Sequence, residues 1–257
     1  MRASGHIGTR TDNTNTVREA HALISIAASH EAVRADFLRL ASDGEISTSA
    51  MAHFVRGYES YSRMFPSIID AGRAHWLEHP QMRALLDEVF VDERGGDGDS
   101  HADGLLRCAD SFDVDLNPRT LDQVRASCVR YARTVLALCK SDGFMALGAI
   151  GPATECIVPA IYDQLLSWFR AESRLRYDAS FFAEHIEVDG RHSECIMTAI
   201  ELAVTDHPSG LAMLRDGMLI TLNARRDLWN DISDALGVRH SDKARDRWAA
   251  ARNSCRE

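Results

Sequence analysis

Glycine and proline are scarce in this chain, 16 and 6 of 257 residues. That scarcity disfavours turn-rich all-β folds, whose hairpins depend on both. No run of alternating apolar and polar residues marks an amphipathic strand. Basic residues are outnumbered, 29 Lys and Arg against 38 Asp and Glu, for a net charge of −9. No basic stripe stands out, so the usual footprint of a nucleic-acid binder is missing, and an anionic membrane surface is an unfavourable partner. The six cysteines, at 108, 128, 139, 156, 195 and 255, form no CxxC pair and match no zinc module. Several lie in apolar helical patterns and read as buried free thiols of a reducing compartment. The opening MRASGHIGTRTDNTNT has no apolar signal-peptide core, and the longest uncharged stretch, 143–154, is too short to span a bilayer. The expectation is a soluble, cytoplasmic protein.

What is present is helical periodicity. With 45% hydrophobic residues the chain can bury a sizeable core. Residues 1–15 are polar and read as a disordered tail, 16–241 as one domain, and 242–257 as a charged tail. Helices are expected over about 17–42, 47–76 with a kink at Pro66, 80–93, 101–112, 118–140, 144–173, 178–205 and 208–236. The last carries the apolar series Leu211, Leu214, Met218, Leu222, Trp229, Ile232 and Leu236. The fold class is all-α, a single domain of seven to eight helices.

The chemistry concentrates in FFAEHIEVDGRHSEC, residues 181–195. His185, Asp189 and His192 form H-x3-D-x2-H. At about 100° per residue, positions i, i+4 and i+7 fall within roughly 60° of one another, so two imidazoles and a carboxylate share one narrow stripe. Imidazole plus carboxylate is the donor set of non-haem iron. A solvated polar helix face is the plain alternative. Glu155, in PATECIVPAIY, stands among apolar residues, where a lone carboxylate is costly to bury without a partner or a metal. Pro159, four residues on, cannot donate to the Glu155 carbonyl and loosens the helix there. Glu93 and His101 bracket the loop RGGDGDS and can be aimed inward from adjacent helix ends, with Asp92 as a rival to Glu93. The acidic loop lacks the alternating order and terminal Glu of a calcium loop.

Taken together, E-x7-H, a Glu 54 residues after that His, and H-x3-D-x2-H opening 30 residues later resemble the haem-oxygenase-like di-iron oxidases and oxygenases. These are relatives of the thiaminase and pyrroloquinoline-quinone synthase group. YSRMFP (61–66) and the phenylalanines before His185 carry the likeness further, over about Tyr58 to Met197. The resemblance implies a haem-oxygenase-like helical bundle. It implies two irons held by Glu93, His101, Glu155, His185, Asp189 and His192, with dioxygen as co-substrate. Some N-oxygenases of the family add a carboxylate ligand from upstream, for which Glu59 is the candidate here. An i,i+4 ion pair with Arg63 is the alternative for that residue.

The function implied is oxidation of a small amine or amino acid in natural-product biosynthesis. N-oxygenation is favoured, on Glu59 alone, over oxidative C–C cleavage or desaturation. An external electron donor and a homodimer are further expectations. The competing readings are a metal-free thiaminase-like hydrolase or cofactorless oxidase, and a non-catalytic helical binding protein. A true haem oxygenase would need His21 or His30 as haem ligand, and LGAIG (147–151) is the nearest approach to a glycine-rich distal helix. Tyr162 and Tyr58 are candidate substrate contacts, with core packing as their alternative. Arg170, Arg174 and Arg176 could hold a substrate carboxylate or form a solvated helix end.

Overall fold

The computed structural model describes residues 8–96, 98 and 100–238, without the side chains of 8–14, 172 and 189. The chain forms α1 (Gly8–Ser29), α2 (Asp36–Ser42), α3 (Thr48–Ser62), α4 (Phe65–Arg73), α5 (Pro80–Glu93) and α6 (His101–Asp110). It continues through α7 (Pro118–Ser141), α8 (Gly143–Ile150), α9 (Val158–Phe169), α10 (Ser180–Asp206) and α11 (Leu211–Leu236). A π-helical turn, Gly151–Glu155, joins α8 to α9. The described residues contain no strand.

Among the described residues eleven helical segments take the place of the seven or eight expected, because local chemistry breaks the long ones. His30 is extended, and its ring Nδ1 accepts from the Ala32 amide at 3.1 Å, which ends α1. Pro66 has no N–H for the Ser62 carbonyl, so α3 stops at Ser62 and α4 restarts with the proline in its first turn. Pro152 and Pro159 break the third long run in the same way, around the π turn. At the N-terminus α1 starts at Gly8, so residues 8–15 are helical rather than part of a disordered tail. Asn15 ties this turn to Glu19 at 2.7 Å and to Arg18 at 2.6 Å. The expected tails 1–7 and 242–257, with Cys255, lie outside the described residues.

Starts are capped as the residue types require. Ser47 caps α3 and Asn117 caps α7, whose Pro118 occupies the first position. Asp142 accepts from the Phe144 and Met145 amides at 2.8 and 3.1 Å. The other five cysteines are free thiols, four of them buried. From 143 to 169 the chain is long and apolar enough to cross a membrane, longer than the 143–154 stretch noted above. It is interrupted by the π turn, and 72% of its most apolar window is buried inside the bundle.

The core sits between α11 and the helices around it. Trp229 stacks on Phe37 and Tyr58, with ring centroids 5.8 and 6.1 Å apart. Trp168 donates to the Ile46 carbonyl at 2.7 Å, pinning α9 to the α2–α3 turn. The tightest approach is α8 on α11. A Cβ on Gly148 would stand 1.9 Å from the Leu214 carbonyl oxygen, and one on Gly217 2.2 Å from that of Met145. Backbone touches backbone there, and no side chain can yield. Gly190, in the interior of α10, has nothing within 4 Å of such a Cβ.

The same substitution should therefore have opposite signs. Gly217→Ala should lose about 2–3 kcal/mol to overpacking, whereas Gly190→Ala should gain up to ~1 kcal/mol of helix propensity. Urea midpoints of the two variants check this, and equal effects would contradict the packing described.

Candidate metal centre

Buried positions along α5 run Met82, Leu86, Val89 and Glu93, so the carboxylate occupies the last place on an otherwise apolar stripe. Gly95 and Gly96, with φ of 97° and 46°, then turn the chain where a side chain would be strained. Ser100 and Asp103 form a reciprocal capping box that sets His101 at the first position of α6. The result is the meeting expected from E-x7-H: Glu93 Oε1 lies 2.9 Å from His101 Nδ1.

Glu155 closes the π turn, and its side chain is buried. π turns recur at functional sites because the extra residue redirects a side chain without ending the helix. The Glu155 carbonyl, which Pro159 cannot satisfy, accepts instead from Ser193 Oγ at 3.0 Å. Ser193 lies on α10 beside His192, so one hydrogen bond joins the two ligand-bearing elements. Within α10, the His185 ring Nδ1 donates to the Phe181 carbonyl at 2.7 Å. That bond assigns the tautomer, because a carbonyl only accepts, and it leaves Nε2 with a lone pair.

Two groups of potential ligands result. Glu93, His101 and His185 each offer an atom within 4.8 Å of the others, and so do Glu93, Glu155 and His192. Glu93 belongs to both. His192 Nδ1 is 3.3 Å from Glu155 Oε2 and 3.9 Å from Glu93 Oε1. Glu155 Oε1, though buried, makes no hydrogen bond. An orphaned carboxylate oxygen among imidazoles, with a carboxylate common to two triads, fits a pair of divalent cations of the iron type. Five of the six expected ligands are thus brought together. The side chain of Asp189 lies outside the described residues.

Asp92 faces the other side of His192. Its Oδ2 is 3.2 Å from Nε2, and Arg191 pairs with the same carboxylate. Asp92 is therefore placed to orient the imidazole from behind, while Glu93 points into both groups. Burial alone would raise the Glu93 pKa, but its pairing with His101 and the surrounding imidazoles bring it below the ordinary value. Burial, helped by the Glu93 charge, raises that of Glu155 against the pull of His192. His101 is raised, because Glu93 outweighs its desolvation. His185 is lowered to about 4 by burial and by neighbouring His101.

The remaining candidates separate clearly. Glu59 pairs with Arg63 on the next turn of α3 and belongs to neither group. Tyr162 borders the centre, its ring 5.4 Å from that of His185. Tyr58 packs against Trp229 and Tyr61 in the core. Arg174 is structural: it donates to the Gly44 carbonyl at 2.9 Å and covers Trp168. Arg170 pairs with Asp163 and Arg176 with the Tyr177 hydroxyl. His21 is exposed beside Glu201, and His30 is a helix cap, so neither is placed for haem. Sequence reasoning missed Thr154, Ser193 and Arg225. The last had a signal: it fills the gap between Leu222 and Trp229 in the apolar series of α11.

A cavity of about 20 Å³, room for one water, lies among Glu93, Glu155, His185, Tyr61, Tyr162 and Thr154. Outside it, an open cleft of about 530 Å³ runs along Arg63, Pro66, Phe90 and Arg94. Ser62 and Glu93 border both, and so mark the way in.

The chain belongs to the iron-containing redox enzyme family, whose model matches residues 52–226. Among solved structures it is similar to a CADD-like protein of unknown function from Nostoc punctiforme. The TM-score is 0.65 at 16% identity, over 88% of this chain and 99% of that one. It is also similar to a TenA homologue from Pseudomonas syringae pv. tomato, with a TM-score of 0.57 at 17% identity over 91% and 96% of the two chains. At these identities the structures establish the all-helical, haem-oxygenase-like fold alone. No curated protein matches.

Two outcomes are expected at this centre. Asp92→Asn should weaken metal binding about 10–100-fold, as loss of such an orienting partner does elsewhere, whereas Glu59→Ala should leave it unchanged. Metal titrations of the two variants distinguish these roles. Because its pKa is raised, His101 holds a proton in the metal-free protein to higher pH than a free imidazole, and a cation must expel it. Affinity should then climb with pH through neutrality, with protons released. Calorimetry in buffers of different ionisation enthalpy reads that release, and zero release at neutral pH would contradict the Glu93–His101 pairing.

Proposed function

We propose that this family member is a dioxygen-using, non-haem di-iron oxidoreductase that oxidises a small amine or amino acid. The observation that supports this most is Glu93 standing in two overlapping triads, because a shared carboxylate suits two cations better than one. One triad would be completed by His101 and His185, the other by Glu155 and His192, with Asp189 on the same stripe of α10. Bound there, two ferrous ions supply the two electrons that reduce dioxygen beside a substrate, and an external donor must restore them. The protein's part is to hold the imidazoles in fixed tautomers, through Phe181 and Asp92, and to limit access to one narrow cavity.

Glu59, on which a preference for N-oxygenation would rest, pairs with Arg63 and lends that preference no support. N-oxygenation, C–C cleavage and desaturation are therefore taken as equal outcomes of one centre. A metal-free, thiaminase-like hydrolase draws support from the likeness to the TenA homologue. Against it stands the unpartnered Glu155 oxygen, which a hydrolase without metal leaves unexplained.

Anaerobic loading with Fe(II), then exposure to dioxygen with a panel of amino acids and amines, tests the proposal. About two irons per chain and substrate-dependent oxygen consumption are expected. His192→Ala should hold about one iron and consume no oxygen, since a lone ferrous ion cannot supply both electrons. Unchanged iron content and oxygen uptake in that variant would refute the ligand assignment.

A further inference from the structure

Arg225 lies in the middle of α11 with none of its side chain exposed. Nη2 donates to Thr154 Oγ1 at 3.1 Å, the Tyr131 hydroxyl is a second neutral neighbour, and Nε has no acceptor. Its Cζ stands 5.1 Å from the centre of the Tyr131 ring. The other groups acting on it are the phenols of Tyr61, Tyr58 and Tyr162. Among the described residues no carboxylate pairs with it. A guanidinium does not give up its proton. The phenols do not supply the counter-charge, because burial pushes Tyr58 up to about 12 and raises Tyr61 and Tyr131 as well. The Tyr58 hydroxyl is shared with Tyr162, and that of Tyr131 with Thr154, Tyr61 and Arg225 itself, all of them neutral groups but the guanidinium. A buried cation is costly unless an anion meets it, and a methionine or leucine would fill the same stripe without that cost.

This niche adjoins the proposed centre. Thr154, which holds Arg225, precedes Glu155, and Thr154, Tyr61 and Tyr162 line the cavity that contains Glu93, Glu155 and His185. We propose that Arg225 is the anchor for a substrate carboxylate, reached past Thr154, Tyr61 and Tyr162, with the Tyr58 and Tyr131 hydroxyls as further donors. The word substrate rests on the oxygenase reading above; the anion site itself does not. The substrate class narrows accordingly from small amines at large to small amino acids, and a bare amine lacks the group that Arg225 needs. The cavity is closed as it stands, so entry of the carboxylate must shift the side chains of its wall.

Acetate and acetamide differ in charge but little in shape, so they serve as probes. Thermal midpoints of the metal-free protein are recorded with each, at constant ionic strength. Acetate should raise the midpoint of the wild-type protein by several degrees and acetamide should not. Arg225→Met should abolish the difference and, without acetate, melt no lower than wild type. Arg225→Lys keeps the charge with fewer donors, and should bind acetate about tenfold more weakly, the scale of one charge-assisted hydrogen bond. If the methionine variant does not fold, the lysine variant decides. Equal responses to the two probes in wild type, or acetate affinity unchanged in Arg225→Lys, would overturn the anchor. Iron content is measured on the same samples. Iron binding without discrimination between the probes removes the anchor and leaves the oxygenase reading. Discrimination without iron binding does the reverse.

Discussion

Two carboxylates and three imidazoles have been taken out of water at one point in this bundle, and much of the surrounding structure answers to that. Glu93 and Glu155 cannot both remain charged in an apolar interior without compensation. The imidazoles divide the task unequally. His101 keeps a proton for Glu93, His192 stands between the two carboxylates, and His185 is held neutral by its burial, helped by the charge on His101. What is left over is one carboxylate oxygen without a donor. A cluster built for stability would have closed that position with an arginine or an amide. Here it stays open, in one of the two groups of potential ligands to which Glu93 is common.

Holding that arrangement explains the irregular parts of the chain. A regular helix from 143 to 169 would carry Glu155 with its carbonyl directed at a proline nitrogen. The π turn shifts the phase by one residue, and Ser193 supplies the missing donor from α10. The glycine turn after α5 and the capping box before α6 serve the same end, since Glu93 and His101 must come back to one point across a short loop. In each case the backbone departs from the ideal at a residue adjoining a potential ligand.

The helices were legible because periodicity and caps are local. Where they broke was not, except at Pro66, because a histidine such as His30 acts as a cap only when its neighbours let it. The stripe of His185 and His192 could be read from spacing alone, since a helix fixes the relative direction of i and i+7. The convergence of Glu93, His101 and Glu155 could not be read that way; it required the family resemblance, because distances between helices leave no local trace. The choice between Asp92 and Glu93 was readable in principle. Glu93, not Asp92, continues the stripe of Met82, Leu86 and Val89. Glu59 illustrates the opposite limit, since its i,i+4 pairing with Arg63 was as readable from spacing as any distant role.

Arg225 shows why polar exceptions in an apolar stripe carry more information than the stripe. Along α11 the sequence of Met218, Leu222, Trp229 and Ile232 guarantees burial for whatever stands at 225. A positive charge there is opposed by every local preference, yet it receives one threonine and a ring of neutral phenols. Glu155, one residue from that threonine, does not pair with it; the carboxylate faces His192 instead. The fold thus leaves the guanidinium without a carboxylate among the described residues, while Glu155 is directed to an imidazole. A buried guanidinium met only by neutral groups destabilises the protein, and it becomes favourable only when an anion reaches it. On the anchor proposed above, a carboxylate is the group that would meet the demand of the guanidinium.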